Sequence, residues 1–374
     1  MTPVPIRVAV VGAGGIARGI HLPALAAMPG DVEIVAVVDV DADRARDVAA
    51  EFAAPAAYTD VDEMLAASRP DLVVVATPPG AHKDATVAAL RAGAWVWCEK
   101  PPTLSLADYD EIAAHEGAEG PFASYVFQHR FGSAARRLRR HVEEGTLGAV
   151  RVAQCHTLWY RDDAYFEVPW RAKWATEGGG PTMGHGIHQM DLALSILGDW
   201  TEVTAMMGTL ARHTETEDVS AAIVRLESGA MCVLTNSLLS PRETSQLRFD
   251  FDDATVEVEH LYGYDNSHWR WTPAPHVGDA ESAGWLPDTD EASSHAAQLR
   301  VLVDAFRRGE RPPASGDDGR RGLEFIAGMY KSAIEGRPVR REELTADDRY
   351  YAAMHGGDPD AAARAFAKKE PAHV

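Results

Sequence analysis

A short apolar strand that runs into a glycine-rich turn and then a helix restricts the fold of this chain more than any other feature. Residues 7–11 (RVAVV) predict a strand buried on both faces, as in a parallel sheet. The turn follows the pattern Gly12-x-Gly14-x-x-Ala17, and a second apolar strand at 31–40 carries Asp39 near its end. The order strand, glycine turn, helix, strand and acid is typical of a dinucleotide-binding unit.

Strands and helices keep alternating through the first third of the chain. Helices are predicted at 21–28, 42–52 and 82–92, and further strands at 72–76 and 95–98. This alternation indicates an α/β domain with a doubly wound parallel sheet. Because 374 residues are too many for one compact core, we expect a second domain.

The glycine turn indicates how a dinucleotide would bind. Gly12 permits the tight turn, and Gly14 lets the backbone approach a pyrophosphate. Ala17 keeps the helix close to the sheet, and the helix start at Gly15 and Ile16 would supply N–H donors.

The acid at the end of the second strand favours NAD over NADP as cofactor. The carboxylate of Asp39 would accept the ribose hydroxyls of an adenosine and repel a 2′-phosphate. Val40 beside it supplies no guanidinium. Arg44 could fold back toward this place, although a solvated helix charge is the favoured interpretation of that side chain.

Two loops follow further strands of the predicted sheet, and ligands bind beyond the carboxyl ends of such strands. We therefore expect the loops Thr77-Pro78-Pro79 and Glu99-Lys100-Pro101-Pro102 to face the cofactor. Lys100 could be an ordinary solvated lysine. A Lys-Pro bond, which can be cis, could instead aim this side chain into a cleft.

These motifs, with two more, resemble those of the Gfo/Idh/MocA oxidoreductases. The resemblance covers the chain to about residue 341 and rests on Gly12-x-Gly14-x-x-Ala17, Ala76-Thr77-Pro78-Pro79-x-x-His82, Glu99-Lys100-Pro101, and Gly178-Gly179-Gly180 leading to Gly186-Ile187-His188-Gln189-Met190-Asp191. It implies an N-terminal Rossmann domain and a C-terminal α/β domain with a large, mostly antiparallel open sheet. That sheet would join the chain into a homodimer or homotetramer.

The resemblance divides the chain at Gly120-Pro121. We expect a cofactor domain at 1–121, a substrate-binding and oligomerisation domain at 122–341, and a tail at 342–374. A late helix at 319–336 would pack back near the first domain. The second domain's predicted strands are 150–160, 202–210, 220–226, 231–237, 246–251 and 254–259, with a turn at Ser228-Gly229.

The resemblance also assigns roles to individual residues. Lys100 would hold the substrate oxygen and stabilise its negative charge, and His188 would accept the hydroxyl proton, a task suited to an imidazole near neutral pH. The residues expected at the cofactor include His82, Glu99, Gln128, Trp170 and Arg171 beside those of the loops above. Those expected at the substrate include Tyr160, Arg161 and Lys173, since aromatic faces and charged donors suit a polyol.

The chain departs from the family pattern at Gly184, where many members carry an aspartate four residues before the histidine. His185, on roughly the same helical face as His188, is the expected substitute, as proton relay or hydroxyl ligand; a solvated helix cap is its alternative. A metal site of His185, His188 and Asp191 is disfavoured, because such spacings diverge around a helix. Asp191 is expected to orient backbone, and no metal is expected.

These residues predict an NAD-dependent dehydrogenase acting on a secondary alcohol of a sugar, sugar derivative or cyclitol. Two alternatives remain: a glycoside lyase that oxidises its substrate transiently and recycles the cofactor, and a non-catalytic NAD or sugar sensor.

Composition restricts the partners and the compartment. The formal net charge of −20 disfavours nucleic acid and anionic membranes as partners. No apolar run reaches the length of a membrane span, and no signal-peptide pattern precedes the first strand. The odd count of three separated cysteines indicates reduced thiols, so we expect a cytoplasmic protein.

Overall fold

A computed structural model describes residues 4–367, which divide into two compact units. The first unit comprises the chain up to Thr103, then Asp108–Gln128 and His295–Arg320. The second comprises Leu104–Ala107, His129–Ser294 and the chain from Arg321 onward. The first unit is therefore discontinuous, whereas the sequence suggested one uninterrupted N-terminal segment.

The first unit is built on a parallel sheet, as expected. Within the described residues it has six strands in the order β3-β2-β1-β4-β5-β6. The strands are β1 (Ile6–Val11), β2 (Val32–Val38), β3 (Ala57–Tyr58), β4 (Leu72–Val75), β5 (Trp95–Cys98) and β6 (Ala123–Tyr125). β1, β4 and β5 are almost wholly buried, which explains their uninterrupted apolar sequences.

Helices accompany this sheet at nearly the predicted places. They are α1 (Leu22–Ala26), α2 (Ala42–Glu51), α3 (Val61–Ser68), α4 (His82–Arg91) and α5 (Leu106–Ala113), together with α12 (His295–Arg308) from much later in the chain. A π-helical segment, Ala17–His21, precedes α1. One 3-10 turn, Pro79–Ala81, precedes α4, and another, Gln128–Phe131, follows β6. The helix predicted at 21–28 thus starts earlier and is divided in two, with Pro23 in the first turn of α1.

The second unit contains the large sheet implied by the family resemblance. Its eight described strands run in the order β13-β12-β11-β7-β10-β9-β8-β14. They are β7 (Val150–Tyr160), β8 (Trp200–Gly208), β9 (Val219–Leu226), β10 (Met231–Ser237), β11 (Leu239–Phe251), β12 (Ala254–Glu259), β13 (Trp269–Pro273) and β14 (Val339–Arg340). Neighbours are antiparallel except β7 and β10, which pair in parallel.

The helices of the second unit are mostly short. They are α6 (Ser133–Glu144), α7 (Asp163–Phe166), α8 (Trp174–Glu177), α9 (Pro181–Gly184), α10 (Ile187–Leu197), α11 (Asp279–Ala283), α13 (Gly316–Glu335, whose first residues belong to the first unit), α14 (Arg349–Ala352) and α15 (Pro359–Phe366), with 3-10 turns at Asn266–His268 and Arg341–Glu343. Within residues 4–367 no helix has the length and apolar character that a bilayer crossing demands.

The segment expected as a tail is folded as far as it is described. Tyr350 of α14 and Phe366 of α15 are buried, and the N–H of Thr209 donates to the carbonyl of Phe366 at 2.9 Å. Residues 342–367 are therefore part of the second unit, because they bury aromatic side chains in it. Lys368 and Lys369 lie outside the described residues.

One face of the second sheet exposes apolar side chains. Ile223 of β9 pairs with Val233 of β10, and Met231 pairs with Val152 of β7, so these four point to the same side. All are exposed, as is Met206 of β8. These side chains form one exposed apolar patch on the sheet.

Gly12 sits where β1 passes closest to the end of β4. Its φ is +93°, and a Cβ there would lie 2.6 Å from the carbonyl oxygen of Ala76. Its own N–H donates to the carbonyl of Val38 at 2.8 Å. Only glycine satisfies both the backbone angle and the space.

We expect Gly12→Ala to lower the free energy of unfolding by about 2 kcal/mol or more, because it adds a backbone strain and a clash with backbone atoms. The matched control is Gly14→Ala, since a Cβ at Gly14 meets nothing within 4 Å. Urea unfolding followed by circular dichroism measures both. Equal losses for the two variants would contradict the steric explanation.

Candidate active site

Asp39 closes the glycine turn of the first unit. Its Oδ2 accepts the N–H of Ala13 at 2.8 Å, and its Oδ1 accepts the N–H of Asp41 at 3.0 Å. The guanidinium of Arg44 lies 3.2 Å from Oδ1. The preferred interpretation of Arg44 as a solvated helix charge is corrected, because a half-exposed guanidinium is drawn to two carboxylates, those of Asp39 and Asp41.

The glycine turn itself leads into an open surface. Gly15 and Ile16 are exposed, while Ala17 is buried against the core of the unit. A Cβ at Gly14 or Gly15 would meet open space, so the backbone there is accessible to a bound group. This arrangement fits a pyrophosphate at the start of a helix.

His82 connects the two strand-end loops. It is fully buried, and its ring nitrogens lie 2.8 Å from the carbonyl oxygen of Pro101 and 2.9 Å from that of Thr77. Burial lowers the pKa of His82 although both carbonyl oxygens act to raise it, and a neutral ring donates its one N–H to only one of them. The side chain therefore holds the loops together from inside, and its effect on a cofactor would act through them.

The loop after β5 presents Lys100 at its outer end. The Lys100-Pro101 peptide bond is cis, and Lys100 is half-buried whereas Glu99 is buried. Glu99 points into the unit, where His21 and His295 donate to its carboxylate. Thr77 and Pro78 of the neighbouring loop remain accessible, and Pro79 is buried. Gln128 is buried at the end of the segment that follows β6.

Two of the three consecutive glycines of the second unit pass close to Tyr330 and Glu217. A Cβ at Gly179 would lie 2.1 Å from the hydroxyl of Tyr330, and one at Gly180 would lie 1.9 Å from the carbonyl oxygen of Glu217. A Cβ at Gly186 would lie 2.1 Å from the amide oxygen of Asn236. These contacts explain why glycine is required on both sides of α9.

Glu217 is a buried carboxyl group at the start of α9, and sequence reasoning missed it. It accepts the N–H groups of Gly180 and Thr182, each at 3.1 Å, and the hydroxyl of Tyr330 at 2.9 Å. Burial raises its pKa to about 7, more than these hydrogen bonds lower it. Nothing near Glu217 in the sequence signals this role, because its partners are distant along the chain.

His185 and His188 are both buried but lie in different surroundings. His188 is in the first turn of α10, as predicted, with its ring edge-on to those of His129 and Tyr262 at 5.4 Å each. His185 lies in the turn between α9 and α10. The expected helical face shared by the two histidines is therefore absent, since the helix begins only at Ile187.

Tyr165 is a hydroxyl partner of His185. Its Oη lies 3.0 Å from Nε2 of His185, and the ring of Trp159 is edge-on to the same imidazole at 5.3 Å. Burial raises the pKa of Tyr165, so the phenol keeps its proton and can donate a hydrogen bond to the imidazole. Tyr165 was not among the predicted site residues, because α7 gives no periodic signal.

Two of the predicted arginines meet around Tyr165. The guanidinium carbon of Arg171 lies 4.0 Å from the centre of the Tyr165 ring, and that of Arg161 lies 5.4 Å from it. Arg171 also stacks on Trp170 at 4.2 Å. Four residues named from the sequence, Arg161, Trp170, Arg171 and His185, are thus brought together.

Tyr160 and Lys173, which were also predicted at the substrate, lie away from this group. Tyr160 is on the face of β7 opposite to Trp159, because side chains alternate along a strand, and its ring packs on Arg212. Lys173 is exposed at the start of α8.

Glu177 occupies the space beside Gly184. A Cβ at position 184 would lie 3.2 Å from Oε1 of Glu177, whose carboxylate accepts the N–H of Ala172 at 2.5 Å and Nη1 of Arg171 at 3.1 Å. An aspartate at 184 would bring a second carboxylate against this one. Glu177 of α8 therefore places a carboxylate beside the position where the family resemblance implies an acid.

Asp191 forms a buried ion pair with Arg130. Nε of Arg130 donates to Oδ2 at 2.6 Å, and Nη2 donates to Oδ1. The expectation that Asp191 orients backbone is corrected to this bidentate pair. Because a guanidinium engages both carboxylate oxygens, Asp191 is poorly suited to bind a metal with His185 and His188.

Family models match both parts of the chain. The model described as an oxidoreductase family with an NAD-binding Rossmann fold matches residues 6–125. The GFO/IDH/MocA C-terminal domain matches residues 135–259. The chain belongs to the GFO/IDH/MocA family. This confirms the resemblance, the enzyme class of NAD-dependent oxidoreductase and NAD as the cofactor.

Relatives match along almost the whole length. The chain is 34% identical over 364 residues to the D-glucoside 3-dehydrogenase of Escherichia coli (strain K12), covering 91% of this chain and 98% of that one. It is 27% identical to the myo-inositol 2-dehydrogenase of Thermotoga maritima, covering 91% and 99%. The WlbA dehydrogenase of Bordetella pertussis, crystallised with NADH and UDP-GlcNAcA, shares the fold with a TM-score of 0.80 at 24% identity, covering 90% and 98%.

We expect the stability of the protein to fall as pH rises because of Glu217. The pKa of this carboxyl group is 4.5 in the unfolded chain and about 7 in the folded protein. The folded state therefore binds the proton more tightly, and the free energy of unfolding falls as the pH rises from about 4.5 to 7. Relative to Glu217→Gln, the wild type should lose about 2 kcal/mol of unfolding free energy between pH 5 and pH 8. Urea unfolding at several pH values measures this, with the exposed Glu281→Gln as control. A constant difference across this range would show that Glu217 does not titrate there.

Proposed function

We propose that this protein oxidises a secondary hydroxyl group of a sugar, a sugar derivative or a cyclitol, with NAD⁺ as the hydride acceptor. Support comes from the near full-length similarity to a glucoside 3-dehydrogenase and an inositol 2-dehydrogenase. The observation that carries the proposal is that the chain has both expected reactive residues at defined positions in the fold. Lys100 follows β5, and the buried His188 lies in the first turn of α10.

In this proposal the two side chains act on one hydroxyl group of the substrate. His188 accepts the hydroxyl proton while the carbon loses hydride to the nicotinamide of bound NAD⁺. The ammonium of Lys100 stabilises the negative charge that develops on the oxygen. His185, held by Tyr165, binds a neighbouring hydroxyl or carries the proton onward.

The arginine-rich side of the second unit favours a neutral polyol over a sugar phosphate. Arg161 pairs with Glu243 at 2.8 Å, and Arg171 pairs with Glu177 at 3.1 Å. Each guanidinium is thus neutralised by a carboxylate, and the group offers both donors and acceptors without a surplus positive charge. Hydroxyl groups are the ligands that such a mixed set recognises.

The proposal includes a cytoplasmic location and an oligomer. The three cysteines, Cys98, Cys155 and Cys232, are all free and buried, which suits a reducing compartment. The exposed apolar face around Ile223 and Val233 would be covered by a second copy of the chain.

We expect purified protein with NAD⁺ to produce NADH from at least one member of a panel of monosaccharides, disaccharides, inositols and aryl glycosides. Lys100→Met and His188→Gln should each lower kcat by about 100-fold or more, because each removes a group that acts on the reacting oxygen. NADH binding, measured by fluorescence, should change little. Lys83→Met is the matched control, since Lys83 forms surface ion pairs with Asp108 and Glu111.

Product analysis of the same mixtures separates the alternatives. Altered glycosides without net NADH would indicate the cofactor-recycling lyase and contradict net oxidation. Full activity of Lys100→Met would contradict its proposed role. Binding of NADH and sugars without any turnover would indicate a sensor.

Ile223→Asp should convert the oligomer to monomers, because it places a charge in the centre of the exposed apolar face. Light scattering after gel filtration measures the mass. Leu286→Asp, which changes another exposed apolar residue outside that face, should leave the mass unchanged. A monomeric wild type, or an Ile223→Asp variant with the wild-type mass, would contradict this interface.

A further inference from the structure

A buried carboxylate lies directly before the lysine of the first unit and is held from two sides. Oε1 of Glu99 is 2.8 Å from Nε2 of His21 and 3.2 Å from Nε2 of His295. Oε2 of the same group accepts the backbone N–H of Lys100 at 3.2 Å. All three side chains of this cluster are buried.

The three residues come from separate elements of the unit. His21 ends the π-helical segment that follows the glycine turn, Glu99 follows β5, and His295 begins α12. The cluster therefore links the helix that would receive the pyrophosphate to the loop that carries Lys100. It also explains why a helix almost 200 residues away in the sequence belongs to this unit.

The surroundings of the cluster determine its protonation. The ring of His21 is edge-on to Trp97 at 4.7 Å and to His295 at 5.1 Å, and burial lowers the pKa of His21. Its Nδ1 has no hydrogen-bond partner among the described residues, which suits an unprotonated nitrogen. His21 therefore donates through Nε2 as a neutral ring.

The carboxylate remains charged. Burial pushes the pKa of Glu99 upward, but the hydrogen bonds from His21 and His295 outweigh burial and keep the pKa well below its usual range. A charged, buried carboxylate with three N–H donors has little freedom to rotate. The backbone of Lys100 is held by one of its two oxygens.

We propose that Glu99, clamped by His21 and His295, is a positioning residue that fixes the backbone of Lys100 and thereby aims its ammonium at the substrate oxygen. This inference rests on the proposed function of Lys100. The same three side chains also have donor atoms close enough together to hold a metal ion, with all of them within 4.8 Å of one another. The hydrogen-bonded arrangement is favoured because it satisfies the carboxylate without an ion.

A double-mutant cycle with the panel substrate that gives the highest NADH rate tests the proposal. Glu99→Gln should lower kcat by about tenfold or more with little change in NADH affinity. Added to Lys100→Met, it should cause no further loss, because its effect passes through Lys100. If the losses in kcat of the two single variants multiply in the double variant, the positioning proposal is wrong. If Lys100→Met is itself active, the proposed function of Lys100 is contradicted as well.

Two variants of His295 address the case in which Glu99→Gln does not fold. His295→Gln keeps an N–H donor and should retain most of the activity, whereas His295→Leu removes the donor and should lose it. Equal activity of these two variants would contradict the clamp.

Two measurements on the wild type do not depend on turnover. Nitrogen NMR of labelled histidine should show His21 predominantly as the neutral ring protonated at Nε2 at pH 6.5, where an ordinary histidine is about half protonated. Elemental analysis should find no stoichiometric metal. If the wild type contains one equivalent of zinc or another divalent ion and Glu99→Gln does not, the three side chains form a metal site and the hydrogen-bonded clamp is contradicted.

Discussion

A buried carboxyl group beside Gly180 fixes the turn on which the histidines of the second unit depend. Glu217 satisfies the first N–H groups of α9, and its own backbone stands so close to Gly180 that no side chain fits there. Tyr330 supports the same carboxyl from α13 and excludes a side chain at Gly179. The path of the chain into His185 and His188 follows from these contacts, since α9 cannot shift without leaving N–H groups unsatisfied.

The sequence predicted the elements whose signal is local. Buried strands such as β5 and alternating strands such as β7, β10 and β12 were located to the residue, because burial on one or two faces imposes a distinct pattern on each. Strands β3, β6 and β14 were not predicted, since two or three residues carry no periodicity. The sequence also did not predict that His295–Arg320 belongs to the first unit, because this depends on contacts between residues far apart in the chain, such as that of His295 with Glu99.

The same difference between local signals and long-range contacts applies to the candidate site residues. Motifs drew attention to Lys100, His188 and the glycine turn as candidates, and the structure shows the steric requirement for glycine at Gly12. Glu217, Tyr165 and Glu177 were missed, since each acts on a partner that only the fold brings near. The corrections to Arg44 and Asp191 have one cause: an ionised side chain binds the nearest opposite charge, and sequence spacing does not reveal which charge that is.

Two buried glutamates show how the donors around a carboxyl group decide its charge. Glu99 and Glu217 are both almost inaccessible, and burial alone would raise the pKa of each. Two imidazole N–H groups and the backbone N–H of Lys100 donate to Glu99, whereas Glu217 meets backbone N–H groups and the hydroxyls of Thr182 and Tyr330. The first carboxyl is therefore a permanent anion beside Lys100, and the second changes charge near neutrality. A shift of pH from 6 to 8 should consequently act on the second unit's histidine turn while the anchor of Lys100 keeps its charge.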